Sequence, residues 1–509
     1  MSRMSTSHIA VLLAIGAIVP MQFLVSRPGL AETLGNGFAD GFAAIGISDS
    51  DAGGARASAI GGIAIGPDSF ATTKDATHPC TDSGSHVTDC GQGNIAIGTT
   101  SQATNDFAVA VGFLSKANGV NSAAFGANAN AVEAGSFAAG NAATAKGLIS
   151  VAIGPNSVAA DGAVALGSQA SASGGNTIAM GQGSTATGSR SIVAGTSANS
   201  AGNDSIAIGN QASTINAAKA ADRFNTAVGA FARAAGEDSS AYGHGSRASN
   251  SGSAYGTGAN ALGGNSSAFG FGANADGVDS AAGLHAKAGN TLSAAFGPGA
   301  TATGTSGLAL GDKSTASKGR AVAVGSEAHA DGINSFAGGI NAGALGLEAL
   351  AIGAGAHALK DKAIAIGPNA QSGAQGLVLL APGVSSIAIG ANAIATQSVA
   401  VGSAALASNG GAAYGDGAAA TGSLATALGP NASTTAANAV AIGSGSLANE
   451  DNSVSMGAPG NARRITNVAA GTTATDAATV GQLTDLRAQI EEVRRECGLP
   501  ARTARANGE

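Results

Sequence analysis

The stretch that decides the fold is VAIGPNSVAADGAVALG, residues 151–167. It opens on Val151-Ala152-Ile153-Gly154 and closes on Val164-Ala165-Leu166-Gly167. Followed outward, the glycine that ends this motif stands at Gly98, Gly112, Gly126, Gly140 and Gly154, a step of fourteen residues. It returns at Gly167, Gly181, Gly195 and Gly209, and after a longer gap from Gly229 to Gly457, mostly within one residue of the same step. A second glycine often follows seven residues after the first, as at Gly119, Gly147, Gly174, Gly188 and Gly202. Self-similarity at a fixed short period is the mark of a repeat architecture.

Each unit divides into two halves. One is a hydrophobic-Ala-hydrophobic-Gly segment such as Ile206-Ala207-Ile208-Gly209, the other a Ser/Ala-rich segment such as STATG at residues 184–188. Both are short and alternate with period two, which reads as strands. The glycines mark corners, where positive φ or close backbone approach is required. Two strands and two corners per fourteen residues describe one coil of a parallel β-solenoid, paired to the coils above and below and unstable alone. Alternation sends Val151 and Ile153 to one face of the strand and Ala152 to the other. The branched pair is expected inside the coil. The Ala face is expected outside, where small side chains let a second surface close in.

Composition agrees. Of 509 residues, 80 are Gly, 14 Phe, three Tyr and none Trp, so side chains that fill a wide core are scarce. Charged residues make up 11 %, against about 25 % in ordinary globular domains. That is too few for a charge-solvated disordered chain. A net charge of -7 leaves no basic footprint, so no nucleic acid is expected as a partner. The glycines follow no Gly-X-Y period, which excludes collagen.

The N-terminus reads as a secretory signal over residues 1–31. Arg3 gives the positive start, an apolar run follows from Ile9 to Val19, and Gly29-Leu30-Ala31 offers a small-residue cleavage site. A lead-in over 32–58 and repeats over 59–457 are expected to follow. Insertions interrupt the repeats at about 67–94 and 210–225, and GLVLLAPG at 376–383 replaces an expected glycine with Leu380. In the first insertion, His78, Cys80, His86 and Cys90 allow either a metal site or a Cys80–Cys90 disulfide. In an exported chain the disulfide is the expected reading, with no metal and no cofactor.

The repeats stop after Gly457, and RRITNVAAGTTATDAATVGQL follows at 463–483. Leu483, Leu486, Ile490, Val493 and Cys497 are then spaced 3, 4, 3, 4, the seam of a short coiled coil over 483–497. Residues 498–509 read as a disordered tail. These features carry a resemblance. The fourteen-residue units resemble the head of YadA-type trimeric autotransporter adhesins, and ITNVAAGTTATDAATVGQL resembles the neck that joins head to stalk. The resemblance implies a left-handed parallel β-roll, a homotrimer, a neck over 458–483 carrying Asn467, Gly471, Asp476, Val480 and Gln482, and adhesion at the bacterial surface. It also implies matrix or host-cell ligands. In related heads such contacts go with NSVAIG-type motifs, which places ligand-binding candidates at Ser150, Val151 and Ile153, at Ser205, Ile206 and Ile208, and at Val440 and Ile442. Cys497 at the seam is a candidate interchain disulfide. The family's barrel anchor needs alternating segments of about ten residues, and none follows Glu492. Retention at the outer membrane is therefore expected to need a separate anchor or translocator, or the protein is released outside the cell.

Nothing points to an enzyme. GDKS at 311–314 lacks the Gly-Lys pair of a phosphate loop and coincides with a repeat corner. His244, His285, His329 and His357 stand singly, without a nucleophile and acid at consistent spacing, so no catalytic residue is expected. Thr185/Thr187 and Thr301/Thr303 are too isolated for an ice-binding face. The remaining alternatives to a multivalent adhesin are a structural spacer without a ligand of its own, or a released adhesin fragment.

Overall fold

The computed structural model describes residues 45–47, 56–57, 61–71, 93–214, 224–373 and 385–499. The signal segment, Cys80 and Cys90 with their histidines, and GLVLLAPG lie outside the described residues. The chain divides into two units, residues 1–356 and 357–509.

In the first unit the described coils contribute a three-residue strand to one parallel sheet, shortened to two residues at Ala281–Ala282, and in general a two-residue strand to a second. Val151–Ile153 pairs with Val164–Leu166 in the register Val151↔Val164, Ala152↔Ala165, Ile153↔Leu166. Val158–Ala159 pairs with Ser171–Ala172 in the same way. The ladders carry the coil-to-coil hydrogen bonds, for example Val151 N–H to the Ala163 carbonyl at 2.9 Å and Gly167 N–H to that of Ile153 at 2.7 Å. Each such bond contributes about 0.5–1.5 kcal/mol net, so stability accumulates with coil number. The second unit repeats the scheme, with Ile364–Ile366 paired to Ile387–Ile389 and the ladder continuing to Val454–Ser455.

The corners are tight turns. Ser157 N–H donates to the Gly154 carbonyl at 3.2 Å, with Asn156 at φ 58°. Ala163 N–H donates to that of Ala160 at 3.0 Å, with Gly162 at φ 63°. Pro155 at the second position and a left-handed Asn at the third are what a type II turn requires. Gly154 is needed for a further reason. A Cβ there would lie 2.5 Å from the backbone of Gly167 in the next coil. At Gly188, which has no positive φ, a Cβ would lie 2.0 Å from the Gly202 carbonyl oxygen.

The expected sidedness of the strands is inverted. Ala152, Ala159, Ala165 and Ala172 are completely buried inside the coil, while Val151 and Ile153 point out. Turns every seven residues hold the two sheets so close that only small side chains fit between them. The largest fully buried side chain among the described residues is Val193, followed by Asn94, Asn225 and Thr177. Serines complete this thin core, and many satisfy their hydroxyls on the carbonyl three residues back. Ser157 Oγ donates to the Gly154 carbonyl at 2.8 Å and Ser150 Oγ to that of Gly147 at 2.7 Å. The core therefore contributes little apolar area per coil, and the bulky apolar side chains lie outside it.

Beyond the second unit's last strand, Arg463 folds back over the coil end. Its guanidinium donates to Ser446 Oγ at 2.7 Å, to the Met456 carbonyl at 3.1 Å and to the Ser444 carbonyl. It occupies the place over Gly443 where earlier coils receive the next glycine's backbone. A helix, Val480–Glu496, closes the described chain.

Candidate interaction surface

The outward side chains of the three-residue strands form two in-register columns. One passes through Ile95, Val109, Ala123, Phe137, Val151 and Val164, the other through Ile97, Val111, Phe125, Ala139, Ile153 and Leu166. Ile153 and Ile208 are each 40 % exposed, Leu310 45 % and Leu428 48 %. Scattered apolar residues on a surface are ordinary. Columns that recur coil after coil make a patch far larger than a solvated monomer carries, and such patches mark interaction sites.

Where one column carries a ring, the other carries a small residue. Phe125 stands beside Ala123, Phe137 beside Ala139, Tyr255 beside Ser253, Phe296 beside Ala294, and Tyr414 beside Ala412. At Phe336 the ring lies over Gly338, 2.7 Å from where a Cβ would be. A face left in water has no need to hold its thickness constant; a face packed against a surface at fixed separation does. Along one stretch the trade builds an aromatic stack. Tyr242 and Tyr255 lie 4.8 Å apart at 5°, and Tyr255 and Phe269 5.2 Å apart at 4°.

The outer face of the two-residue strands differs. In the first unit its column reads Gln102, Lys116, Asn130, Thr144, Val158, Ser171, Thr185 and Asn199, mostly polar. His329 and His357 lie on such strands, while His244 and His285 lie at corners, in edge contacts with Phe231 and Phe271. Among the described residues no three His, Cys, Asp or Glu side chains gather as a metal site, and no helix is long and apolar enough to cross a membrane.

The ligand candidates separate by side. Ser150 and Ser205 are fully buried, so neither can meet a ligand in this fold. Val151, Ile153, Ile206, Ile208, Val440 and Ile442 all belong to the outward apolar columns.

The segment before the helix is held by individual side chains. The Asp476 carboxylate accepts the backbone N–H groups of Thr472 at 2.8 Å and Thr473 at 3.0 Å, which lower its pKa to about 2. Gln482 clamps Gly471, donating to its carbonyl at 2.7 Å and accepting its N–H at 2.9 Å. The same side chain completes a capping box with Thr479, whose Oγ1 accepts Gln482 N–H at 3.2 Å. Asn467 holds φ 61°, and Val480 begins the helix, 80 % exposed. Leu483, Leu486, Ile490 and Val493 are half exposed or more, and Cys497 is a free, exposed thiol at the helix C-cap.

Sequence reasoning missed the outward sense of the columns and the Arg463 fold-back. Signals for both existed: the small residues continue at every second place through both strands, and Arg463 directly follows the last coil.

No curated protein matches the chain. A solved structure titled as the collagen-binding domain of the Yersinia adhesin YadA is 27 % identical and covers 43 % of this chain and 87 % of its own, with a TM-score of 0.18. The family described as the YadA head domain repeat matches in successive blocks from 91–115 and 131–157 through 344–370 and 381–403 to 438–458. The coiled stalk of trimeric autotransporter adhesins matches residues 464–494. With head repeats over more than half of its length and the stalk pattern beyond them, the chain belongs to the YadA-like trimeric autotransporter adhesin family.

Proposed function

We propose that the protein is an exported surface adhesin that works as a homotrimer, its apolar columns packed between copies and its polar outer face turned to matrix or host-cell ligands. The observation that carries this reading is the volume trade along the columns, as between Phe137 and Ala139 and between Phe336 and Gly338. A second copy of the same chain offers a partner whose period and register match at every coil. In such an assembly the helix seam from Leu483 to Val493 is covered as well, and the Cys497 thiols of the copies approach one another. Residues 1–31 serve as the export signal, and Cys80 pairs with Cys90.

Repetition then multiplies weak contacts into avidity, provided that the ligand spans several coils. Ile178 follows Val164 in the same column, and the test compares the full chain with a Val164→Glu/Ile178→Glu variant for mass in solution and for adhesion to immobilised matrix proteins, collagen among them. Three copies and adhesion are expected for the parent, and loss of both for the variant. A monomeric parent that still adheres would defeat the assembly part of the reading. A trimer that adheres to no matrix or cell surface would defeat the adhesin part.

A further inference from the structure

At two places in the solenoid a charge is paired with an opposite charge one coil away. Arg190 meets Asp204 at 2.5 Å and Lys313 meets Glu327 at 4.0 Å. One place differs. Arg233 and Arg247 face each other directly in the second sheet's ladder, the only register pair among the described residues in which both members are charged, and both carry the same sign. Neighbouring strands lie about 4.8 Å apart, so the guanidinium stems rise side by side. Like charges directly opposite are unfavourable in a sheet. Both arginines are exposed, and among the described residues neither has a carboxylate within ion-pair reach. The flanking ladder positions, Ser213 and Asn260, are uncharged. At the adjoining corner Phe231 is 51 % exposed and sits edge-on to His244, ring centroids 5.5 Å apart.

We propose that Arg233, Arg247 and Phe231 form a binding site for a sulfated polysaccharide. Two guanidinium forks one strand apart recognise a sulfate-bearing sugar through charge-assisted hydrogen bonds. The exposed Phe231 ring gives a pyranose an apolar surface to lie on. A bound polyanion also removes the repulsion that the fold leaves in place. The site lies on the polar sheet, opposite the apolar columns, so assembly through those columns leaves it open. The inference rests on the adhesin reading only in placing the ligand outside the cell.

The experiment measures binding of the purified full chain to heparin and dextran sulfate, with neutral dextran as the blank and duplex DNA as competitor. The parent chain is expected to bind both sulfated polymers and not dextran, with affinity falling as salt rises. Arg233→Ser/Arg247→Ser is expected to bind at least about tenfold more weakly, the loss of hydrogen bonds to charged groups. Phe231→Ala is expected to bind several-fold more weakly, and Arg190→Ser, which removes an arginine already paired, to bind like the parent. Circular dichroism checks that each variant keeps its strands. Parent-like binding by the double variant, equal binding to neutral dextran, or preference for DNA would each overturn the proposal. Failure of the adhesin reading is distinguishable: cells displaying the chain would not adhere to matrix proteins, while the purified chain still bound heparin through the two arginines.

Discussion

The solenoid and the neck are held together in opposite ways. In the solenoid the backbone does the work, since each coil hydrogen-bonds to its neighbours and the interior holds little beyond Ala, Ser and Gly. In the neck the backbone has few partners of its own, and Arg463, Asp476 and Gln482 fix its path with side-chain hydrogen bonds. The difference shows where information sits. Repetition fixes the coil's shape, which frees its outward positions to specialise: apolar on one face and, in the first unit, mostly polar on the other, whereas in the second unit that other face also carries Ile394, Leu406 and Leu447. The neck has no repetition to lean on, so its shape is specified by individual residues.

Breaking the solenoid's rule has the largest expected effect. Gly154→Val sets a branched Cβ within 2.5 Å of the next coil's backbone at a φ of 124°. We expect a cost of about 3 kcal/mol or more, seen as new protease cleavage and faster amide exchange around that coil. Next in size is Val164→Glu/Ile178→Glu, which leaves the interior untouched. It should abolish assembly while circular dichroism still reports strands, and loss of strand signal would mean that the outward columns also support the coil itself.

The neck responds to single polar changes. Gln482→Ala removes both halves of the Gly471 clamp and the side-chain half of the capping box, while Thr479 Oγ1 still accepts the backbone N–H of residue 482; a loss of about 1–2 kcal/mol in helix stability is expected, read by thermal melting of the helical signal. Acid acts on Asp476 more gently. Its carboxyl is lowered from 3.8 to about 2 by the Thr472 and Thr473 N–H groups, so its contribution is complete above about pH 4 and fades as pH falls toward 2. Asp476→Ala should flatten that part of the acid titration. The smallest effect is expected at the Arg190–Asp204 pair, whose arginine stands mostly in solvent, and Asp204→Asn should melt with the parent.

Much of this organisation can be read from the chain. The fourteen-residue period implies coils, the alternation implies strands, and the 3, 4, 3, 4 spacing from Leu483 falls on the observed helix and its cap. The side facing inward cannot be read from alternation alone, because period two looks the same when the faces are exchanged. The deciding quantity is the distance between the sheets, and seven residues per half-coil leave room for Ala152 but not Ile153. Ser150 and Ser205 stand in the motif that marks ligand contacts, yet their place in the coil points inward. Arg233 and Arg247 carried a legible signal, the same cation before the same Ala one coil apart, but its meaning depends on the ladder register.

Assembly as proposed depends on the outward apolar columns being an interface between copies of the chain. The most direct test is the mass of the purified full chain in solution by light scattering, with reductant present so that Cys497 cannot link copies. Three chains per particle is the predicted result; a single chain that stays soluble with its columns in water would contradict it.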